Sequence, residues 1–247
     1  MNAPISTDIN LVLNDNQVNK TQLLISVTSI EEAQMALENG ADIIDLKEPS
    51  KGALGALPIA VIQEVVAYVK ATSTSQKILT SATIGDLPMQ PALLTAHINA
   101  LAKTGVDIIK IGFFETDDYQ ASLQALKLLT QSGLKLMAVL FAEKLYPQDL
   151  VAAIKNAGFI GIMLDTASKN GLTLLDYYPL NKRLNFAKNV FDHQLSLGLA
   201  GSLKLEHIAM VKELNPSYIG FRGGVCDDHQ RNLALNVDKI KAVRKIM

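Results

Sequence analysis

Residues 40–47 read Gly-Ala-Asp-Ile-Ile-Asp-Leu-Lys, and residues 105–112 read Gly-Val-Asp-Ile-Ile-Lys-Ile-Gly. In both segments a glycine that ends a helical pattern precedes a short apolar run, and a lysine lies at or near the carboxyl end of that run. Continuous apolar runs of this length are typical of strands buried on both faces of a parallel sheet, and helices join parallel strands. The two segments therefore predict β-strands that each follow a helix.

Eight such runs lie between residue 21 and the carboxyl terminus, separated by amphipathic helical patterns. The predicted strands are Leu23–Val27, Asp42–Lys47, Ile78–Ile84, Asp107–Gly112, Leu136–Phe141, Phe159–Asp165, Ser196–Gly201 and Tyr218–Arg222. Eight strand–helix units in about 230 residues are typical of a (β/α)8 TIM barrel, an α/β fold. A doubly wound open sheet is the alternative, but no Gly-x-Gly-x-x-Gly turn follows the first strand. We predict a single catalytic barrel domain over residues 21–247, after an N-terminal arm of residues 1–20.

The composition restricts the class of protein. The chain has 247 residues, 49% of them hydrophobic, and its 23 basic and 24 acidic residues leave a formal net charge of −1. Because there is no dense basic block, nucleic acid is not an expected partner. No apolar stretch approaches the roughly 20 residues that cross a bilayer, and the arm lacks a signal-peptide pattern. A single cysteine suits a reducing compartment. We therefore expect a cytoplasmic protein without membrane contact, and an arm that is mobile or makes contacts.

Three lysines lie at the predicted carboxyl ends of strands, where barrel enzymes build their active sites. They are Lys47, Lys110 and, in the loop after strand six, Lys169. Partial burial lowers the pKa of an amine, and a neutral amine can attack a carbonyl to form a Schiff base. The sequence therefore points to carbonyl chemistry on a small metabolite. The alternatives are that Lys110 extends outward to solvent and that Lys169 belongs to an ordinary solvated loop.

Carboxylates accompany these lysines. Asp45 precedes Lys47 by two positions, so both side chains point the same way from a strand. We expect Asp45 to hold a lysine or to shuttle its proton, and a structural ion pair inside the barrel is the alternative. Asp165 closes predicted strand six, four positions before Lys169. Asp86, after strand three, is predicted either to contact substrate or to form a turn.

Small residues follow the last two predicted strands. Strand seven runs into Gly201 and Ser202, and strand eight runs into Arg222, Gly223 and Gly224. Backbone amides at these two positions bind phosphate in many barrels, and the arginine is predicted to add a charge-assisted contact. Ordinary turns are the alternative for each glycine. Taken together, the loops predict a phosphorylated small-molecule substrate.

Together these segments resemble the (5-formylfuran-3-yl)methyl phosphate synthase family. The resemblance extends in unbroken order over roughly residues 22–245 and consists of short motifs. These motifs are Gly40–Pro49, Gly52–Ala56, Ser81–Asp86, Ile109–Gly112, Leu164–Lys169, Leu199–Ser202, and Arg222–Gly224 with Cys226 and Arg231.

The resemblance implies a reaction between two molecules of glyceraldehyde 3-phosphate. One phosphate and water are lost, and 4-(hydroxymethyl)-2-furancarboxaldehyde phosphate, a precursor of methanofuran, is formed by a carbon–oxygen lyase. The resemblance implies that Lys47 forms the Schiff base, that Lys110 is the general acid/base, and that Asp165 and Lys169 are supporting catalytic groups. It implies no organic cofactor and no metal, and the histidines show no metal-ligand spacing.

Two other functions are alternatives on the sequence. One is a different class I aldolase-type barrel that acts on phosphorylated trioses. The other is a non-catalytic barrel that binds phosphorylated metabolites. Many barrels self-associate, so we also expect a homo-oligomer.

Overall fold

The computed structural model describes residues 20–72, 78–168 and 170–247, which contain a closed barrel of eight parallel strands. The strands are Gln22–Val27 (β1), Ile43–Leu46 (β2), Leu79–Thr83 (β3), Ile108–Gly112 (β4), Leu136–Phe141 (β5), Gly161–Asp165 (β6), Ser196–Leu199 (β7) and Tyr218–Phe221 (β8). Each strand pairs with its neighbours in sequence, and β8 pairs with β1 to close the ring. The predicted (β/α)8 fold is confirmed.

Helices connect successive strands on the outside of the barrel. They are Ile30–Glu38 (α1), Ile59–Thr72 (α2), Pro91–Ala102 (α3), Gln120–Gln131 (α4), Leu150–Asn156 (α5), Leu174–Tyr177 (α6), Leu180–Asp192 (α7), Ile208–Lys212 (α8) and Val237–Ile246 (α9). Short 3-10 turns follow β2, β7 and β8, at Pro49–Lys51, Leu205–His207, Gly223–Val225 and Asp227–His229. Within the described ranges, no helix is long and apolar enough to cross a membrane.

Glycine residues end helices where the chain turns into the next strand. Gly105 precedes β4 with φ 76°, and Gly158 precedes β6 with φ 81°. This left-handed conformation is strained for residues with a Cβ atom, so glycine is favoured at both turns. The strands that follow these two turns therefore begin within two residues of their predicted first residues.

Two groups of buried apolar side chains stabilise the barrel. The larger group lies between strands and helices, and the smaller group, which includes Leu24, Ile43 and Met137, fills the barrel interior. Because both faces of each strand are buried, the strands read as continuous apolar runs.

The pairing register also determines which polar side chains enter the interior. Alternate strands contribute side chains to common layers in such barrels, and the register assigns to one layer Asp45, Lys110, Met163 and Gly220.

Two predictions fall on residues that the structure does not describe. The predicted N-terminal arm is residues 1–20, of which 1–19 lie outside the described ranges. The predicted catalytic Lys169 also lies outside them.

Candidate active site

A cavity of about 650 Å³ opens at the carboxyl ends of the strands. Its floor consists of Leu24 in β1, Met163 in β6, Gly220 in β8 and Ala200 directly after β7. A Cβ atom at Gly220 would lie 3.0 Å from Met163 Cε and 3.2 Å from Leu24 Cδ2. Glycine at this position therefore leaves room above the floor.

The part of the mouth beside β4 and β5 is filled by three apolar side chains, which we call the apolar plug: Leu54, Phe114 and Phe141. The two phenyl rings lie 5.0 Å apart between centroids, and Leu54 is fully buried. A Cβ atom at Gly112 would lie 2.6 Å from Phe114 and 2.8 Å from Leu54. The plug therefore lies against β4, one inward-facing position above Lys110 on the same strand.

Lys47 borders the cavity from the end of β2. Its side chain is 9% exposed, and its backbone N–H donates to Val27 O at 3.3 Å. Among the described residues, no carboxylate lies within 4.0 Å of its Nζ atom. A small carbonyl compound in the cavity can therefore approach this amine.

Lys110 lies inside the barrel and is not among the residues that line the cavity. Its side chain is 2% exposed, and Nζ lies 2.6 Å from Oδ1 of the fully buried Asp45. The carboxylate of Asp45 also accepts hydrogen bonds from Ser26 Oγ at 2.9 Å and Ser81 Oγ at 2.6 Å. Strands β1 to β4 thus contribute one buried polar network, and Asp45 serves Lys110 rather than the cavity directly.

Burial and charge act differently on the two members of this ion pair. Burial lowers the pKa of the Lys110 amine below its ordinary value, although the Asp45 carboxylate opposes this shift. For Asp45, burial opposes ionisation, but the ammonium groups of Lys110 and Lys47 outweigh it and hold the pKa of that carboxyl below its usual value. The network therefore contains an ionised carboxylate beside an amine that releases its proton more readily than an exposed lysine.

Asp165 lines the cavity from the end of β6. Its Oδ1 atom accepts the N–H of Thr166 at 2.7 Å, and its negative charge favours the protonated form of Lys110. The loop after β6 is tied to the end of β5, because Ala142 N donates to Asp165 O at 2.8 Å and Ser168 N donates to Glu143 Oε1 at 2.6 Å. Glu143, which the sequence analysis did not single out, therefore positions the loop that follows Asp165.

Backbone amides line the cavity after β7 and β8. In the part of the chain that the structure describes, no acceptor binds the N–H groups of Gly201, Ser202, Gly223 and Gly224. Gly201 has φ 102°, and Ser202 has φ 52°, so the chain turns sharply after β7. Concave groups of free amides are favourable sites for anions. We call these four residues the anion cradle, and they are the residues that the sequence analysis proposed for phosphate.

Arg222 does not have the partners that the sequence analysis expected. Nη1 donates to Glu32 Oε2 at 2.5 Å and to Ser26 O at 3.1 Å, and Nη2 donates to Glu32 Oε1 at 3.1 Å and to Leu233 O at 3.2 Å. Nε donates to Arg231 O at 2.8 Å. All five N–H donors of the guanidinium are therefore used within the protein. This corrects the predicted phosphate contact, because Arg222 instead ties β8 to β1 and α1.

Asp86 lies in a turn, as one of its two predictions expected, because Leu87 N donates to Gly85 O at 3.1 Å. Its carboxylate accepts the N–H groups of Ala53 at 2.9 Å and Leu54 at 2.8 Å, and it does not line the cavity. It therefore fixes the loop after β2 to the loop after β3. The contact with substrate predicted as one option is replaced by this contact with the protein.

Arg231 is a cavity residue that the analysis of site residues did not select. It lies in a polar loop well beyond the end of β8, where no strand-end rule applies. The fold brings its guanidinium to the loop after β2, where Nη2 donates to Pro49 O and Gly52 O. Its position in the resembling motif set was the signal that could have identified it.

The fold and this arrangement define a (β/α)8-barrel protein whose mouth combines a cavity-facing lysine with an anion cradle. Residues 23–244 match the family model described as 4-HFC-P synthase, and the chain belongs to this family.

Several relatives carry a matching name. A Methanococcus maripaludis (5-formylfuran-3-yl)methyl phosphate synthase is 35% identical over 91% of this chain and 98% of the relative. The Methanocaldococcus jannaschii protein of the same name is 33% identical, over 85% of this chain and 92% of the relative. A Methylorubrum extorquens protein that carries the name provisionally is 39% identical, over 88% and 87%. The chain is thus an enzyme of this synthase family.

Solved structures share the fold at low sequence identity. Phosphoribosyl anthranilate isomerase from Thermus thermophilus has a TM-score of 0.61 and 15% identity, over 90% of this chain and 96% of that one. The isomerase from Thermococcus kodakaraensis has a TM-score of 0.63 and 18% identity, over 92% and 98%. At such identities the likeness shows the barrel fold alone.

Proposed function

We propose that this enzyme condenses two molecules of glyceraldehyde 3-phosphate through a Schiff base on Lys47. The product is 4-(hydroxymethyl)-2-furancarboxaldehyde phosphate, a precursor of methanofuran, and one phosphate and two water molecules are released, which balances the atoms. The observation that carries the proposal is the position of Lys47, which borders a cavity that also contains the anion cradle. Membership of the synthase family supports the identity of the product.

The first chemical step is attack of the Lys47 amine on the carbonyl carbon of one triose phosphate. The carbon–nitrogen bond forms, and the carbonyl oxygen leaves as water. The resulting iminium withdraws electrons, so the adjacent carbon loses a proton and the enamine becomes a carbon nucleophile toward the second triose. Phosphate and a second water are then lost, and a hydroxyl group of the second triose attacks the iminium carbon to close the furan ring. This attack breaks the carbon–nitrogen bond and releases the Lys47 amine.

Proton transfers accompany each of these steps, and the buried network can serve them. Asp165 faces the cavity, whereas the Lys110–Asp45 pair lies below it. An amine with a lowered pKa exchanges protons more readily near neutral pH, and general acid–base groups contribute about 10²- to 10⁴-fold to such reactions. In this proposal Lys110 acts from the barrel layer that also contains the floor residues Met163 and Gly220, and Asp45 holds it in place.

The anion cradle binds the phosphate of a substrate. The four cradle residues line the cavity at the ends of β7 and β8, their N–H groups have no acceptor among the described residues, and the positive end of such amides favours a dianion. Backbone donors add no titrating group of the protein, so the pH dependence of binding in the cradle comes from the phosphate itself, whose second pKa is about 6. The cradle therefore orients the substrate while the lysine attacks the carbonyl.

Incubation of the purified enzyme with glyceraldehyde 3-phosphate tests the proposal. We expect a furan phosphate, identified by mass spectrometry and ultraviolet absorbance, and we expect Lys47→Ala to form none. A sugar phosphate as product would instead favour an aldolase-type barrel. Binding of the triose phosphate without turnover would favour a non-catalytic barrel.

A further inference from the structure

We propose that Arg231 is a second phosphate-binding residue of the cavity, with its guanidinium directed toward the β2 side. Its ligand is a phosphoryl oxyanion, either the ester phosphate of the second triose phosphate or the free phosphate that the reaction releases. This inference rests on the proposed function for the identity of the ligand. It concerns binding, however, and can be tested without turnover.

Some N–H donors of the Arg231 guanidinium have no acceptor among the described residues. Nη2 donates to the carbonyl oxygens of Pro49 and Gly52, whereas Nε and Nη1 have no acceptor among the residues described. Arg222 is the useful comparison, because each of its five donors has a protein acceptor. Of the two arginines that line the cavity, Arg231 is therefore the one that can donate to a ligand.

The charge of Arg231 is only half solvated. Its side chain is half-buried, and no carboxylate in the described ranges lies within 4.0 Å of it. Burial lowers the pKa of this guanidinium, and the more distant charges of Asp165 and Asp86 offset only part of that effect. A partly desolvated cation is costly unless an anion accompanies it, and the planar fork of a guanidinium matches two oxygens of a phosphate.

The loop that carries Arg231 holds its backbone firmly. Cys226 and Leu235 form an antiparallel bridge at the base of the loop, and Asp227 N donates to Ala234 O at 3.0 Å. At the tip, the carbonyl oxygen of Arg231 accepts the N–H of Arg222 Nε. A side chain on a fixed backbone loses less conformational entropy when it binds a ligand, which is the arrangement expected of a binding residue.

The guanidinium of Arg231 extends away from the cradle, although the Arg231 Cβ atom lies close to Gly223. Its guanidinium contacts the loop that begins two residues after Lys47, so an anion bound there lies on the β2 side of the cavity. The cradle lies on the β7 and β8 side. Two phosphate positions in one cavity fit a reaction that joins two phosphorylated substrates.

Calorimetric titration with inorganic phosphate tests this inference on the full-length enzyme. We expect the wild type to bind two phosphates per chain, and Arg231→Gln to lose one of them or to bind it at least about tenfold more weakly, because a charge-assisted contact is removed. Arg231→Lys keeps the charge and should fall between the two. Lys51→Gln is the matched control, because it removes a positive charge from the exposed surface of the same loop and Lys51 does not line the cavity, so it should leave phosphate affinity unchanged.

Kinetics distinguish the two sources of phosphate. If Arg231 binds the ester, Arg231→Gln raises KM for the triose phosphate and leaves kcat/KM for unphosphorylated glyceraldehyde unchanged. If it binds the released phosphate, the variant weakens product inhibition and lowers kcat at unchanged KM. Wild-type phosphate affinity in Arg231→Gln, or an equal loss in Lys51→Gln, would overturn the inference and leave Arg231 as a loop contact. If the wild type forms no furan, the phosphate titration still shows whether Arg231 binds phosphate.

Discussion

The two sides of the barrel mouth are built from the same strand–helix unit, yet one is open and the other is filled. Small residues follow β7 and β8, and the cavity lies beside them. The side beside β4 and β5 receives the apolar plug of Leu54, Phe114 and Phe141. The comparison shows that the residues after a strand, rather than the strand itself, decide whether its inward-facing side chains reach a substrate.

Two lysines from nearly identical segments illustrate this difference. Lys47 follows the last residue of β2 and borders the cavity, whereas Lys110 lies two residues before the end of β4, beneath the plug. The pattern Asp-Ile-Ile is common to both segments. A shift of a few residues relative to the strand end therefore separates a lysine that borders the cavity from one that is ion-paired inside the barrel.

The largest expected difference between the two lysines is catalytic. Lys47→Met should reduce turnover by roughly 10³-fold or more, because the covalent nucleophile is lost. Lys110→Met should reduce kcat by about 10²- to 10⁴-fold while borohydride still traps substrate on the enzyme. Steady-state kinetics and intact-protein mass spectrometry of both variants check this. Equal loss of trapping in the two variants, with both correctly folded, would remove the distinction.

The effects on stability should have the opposite order. Lys110→Met leaves the buried carboxylate of Asp45 without its ammonium partner, and we expect the free energy of unfolding to fall by about 3–5 kcal/mol. Lys47→Met removes no ion pair and should cost at most about 1 kcal/mol. Urea denaturation measures both values. The double variant Asp45→Asn/Lys110→Met is the control, and it should recover part of the loss because the unpaired charge is gone.

Matched glycine substitutions compare the two sides without changing charge. Gly112→Ala places a Cβ atom 2.6 Å from Phe114 and 2.8 Å from Leu54, so overpacking should cost about 1–3 kcal/mol. Gly220→Ala meets only Met163 Cε, Leu24 Cδ2 and Ala200 Cβ, at 3.0–3.5 Å, so it should cost less stability. Because it raises the cavity floor, it should increase KM instead. Thermal melts and KM values separate the two results, and a larger stability loss for Gly220→Ala would contradict the assignment of the open side.

The smallest expected effect is the pH dependence of stability. The pKa of Asp45 is lower in the folded state, so its contribution is present above its unfolded value, about 4, and is lost as pH falls through the folded value. The pKa of Lys110 is also lower in the folded state, so between its folded and unfolded values the unfolded chain binds more protons and stability rises with pH. Unfolding free energies of the wild type and of Asp45→Asn/Lys110→Met, compared from acid to alkaline pH, should diverge in these two intervals. Parallel profiles would show that the pair does not titrate as described.

Much of this architecture follows from the sequence. The apolar runs and helix-ending glycines predict all eight strands, and the observed strands begin and end close to the predicted residues. Strand alternation also places Asp45 and Lys110 on the inner face. These features depend on local periodicity, which a sequence displays directly.

The remaining features depend on contacts between distant loops. Arg222 follows a strand and has the charge for a phosphate, but Glu32 and three carbonyl groups take its donors. The Asp86 carboxylate accepts hydrogen bonds from the backbone amides of Ala53 and Leu54, which lie more than thirty residues away in the sequence. Neither the free donors of Arg231 nor the plug above Lys110 leaves a periodic signal, because each arises where loops after different strands meet.

Borohydride trapping in the presence of glyceraldehyde 3-phosphate, followed by peptide mapping, tests the central distinction most directly. The position of the two lysines predicts a covalent adduct on Lys47 and none on Lys110. An adduct on Lys110 in the wild-type enzyme would contradict this account, because it would mean that substrate passes the apolar plug and reaches the ion-paired amine.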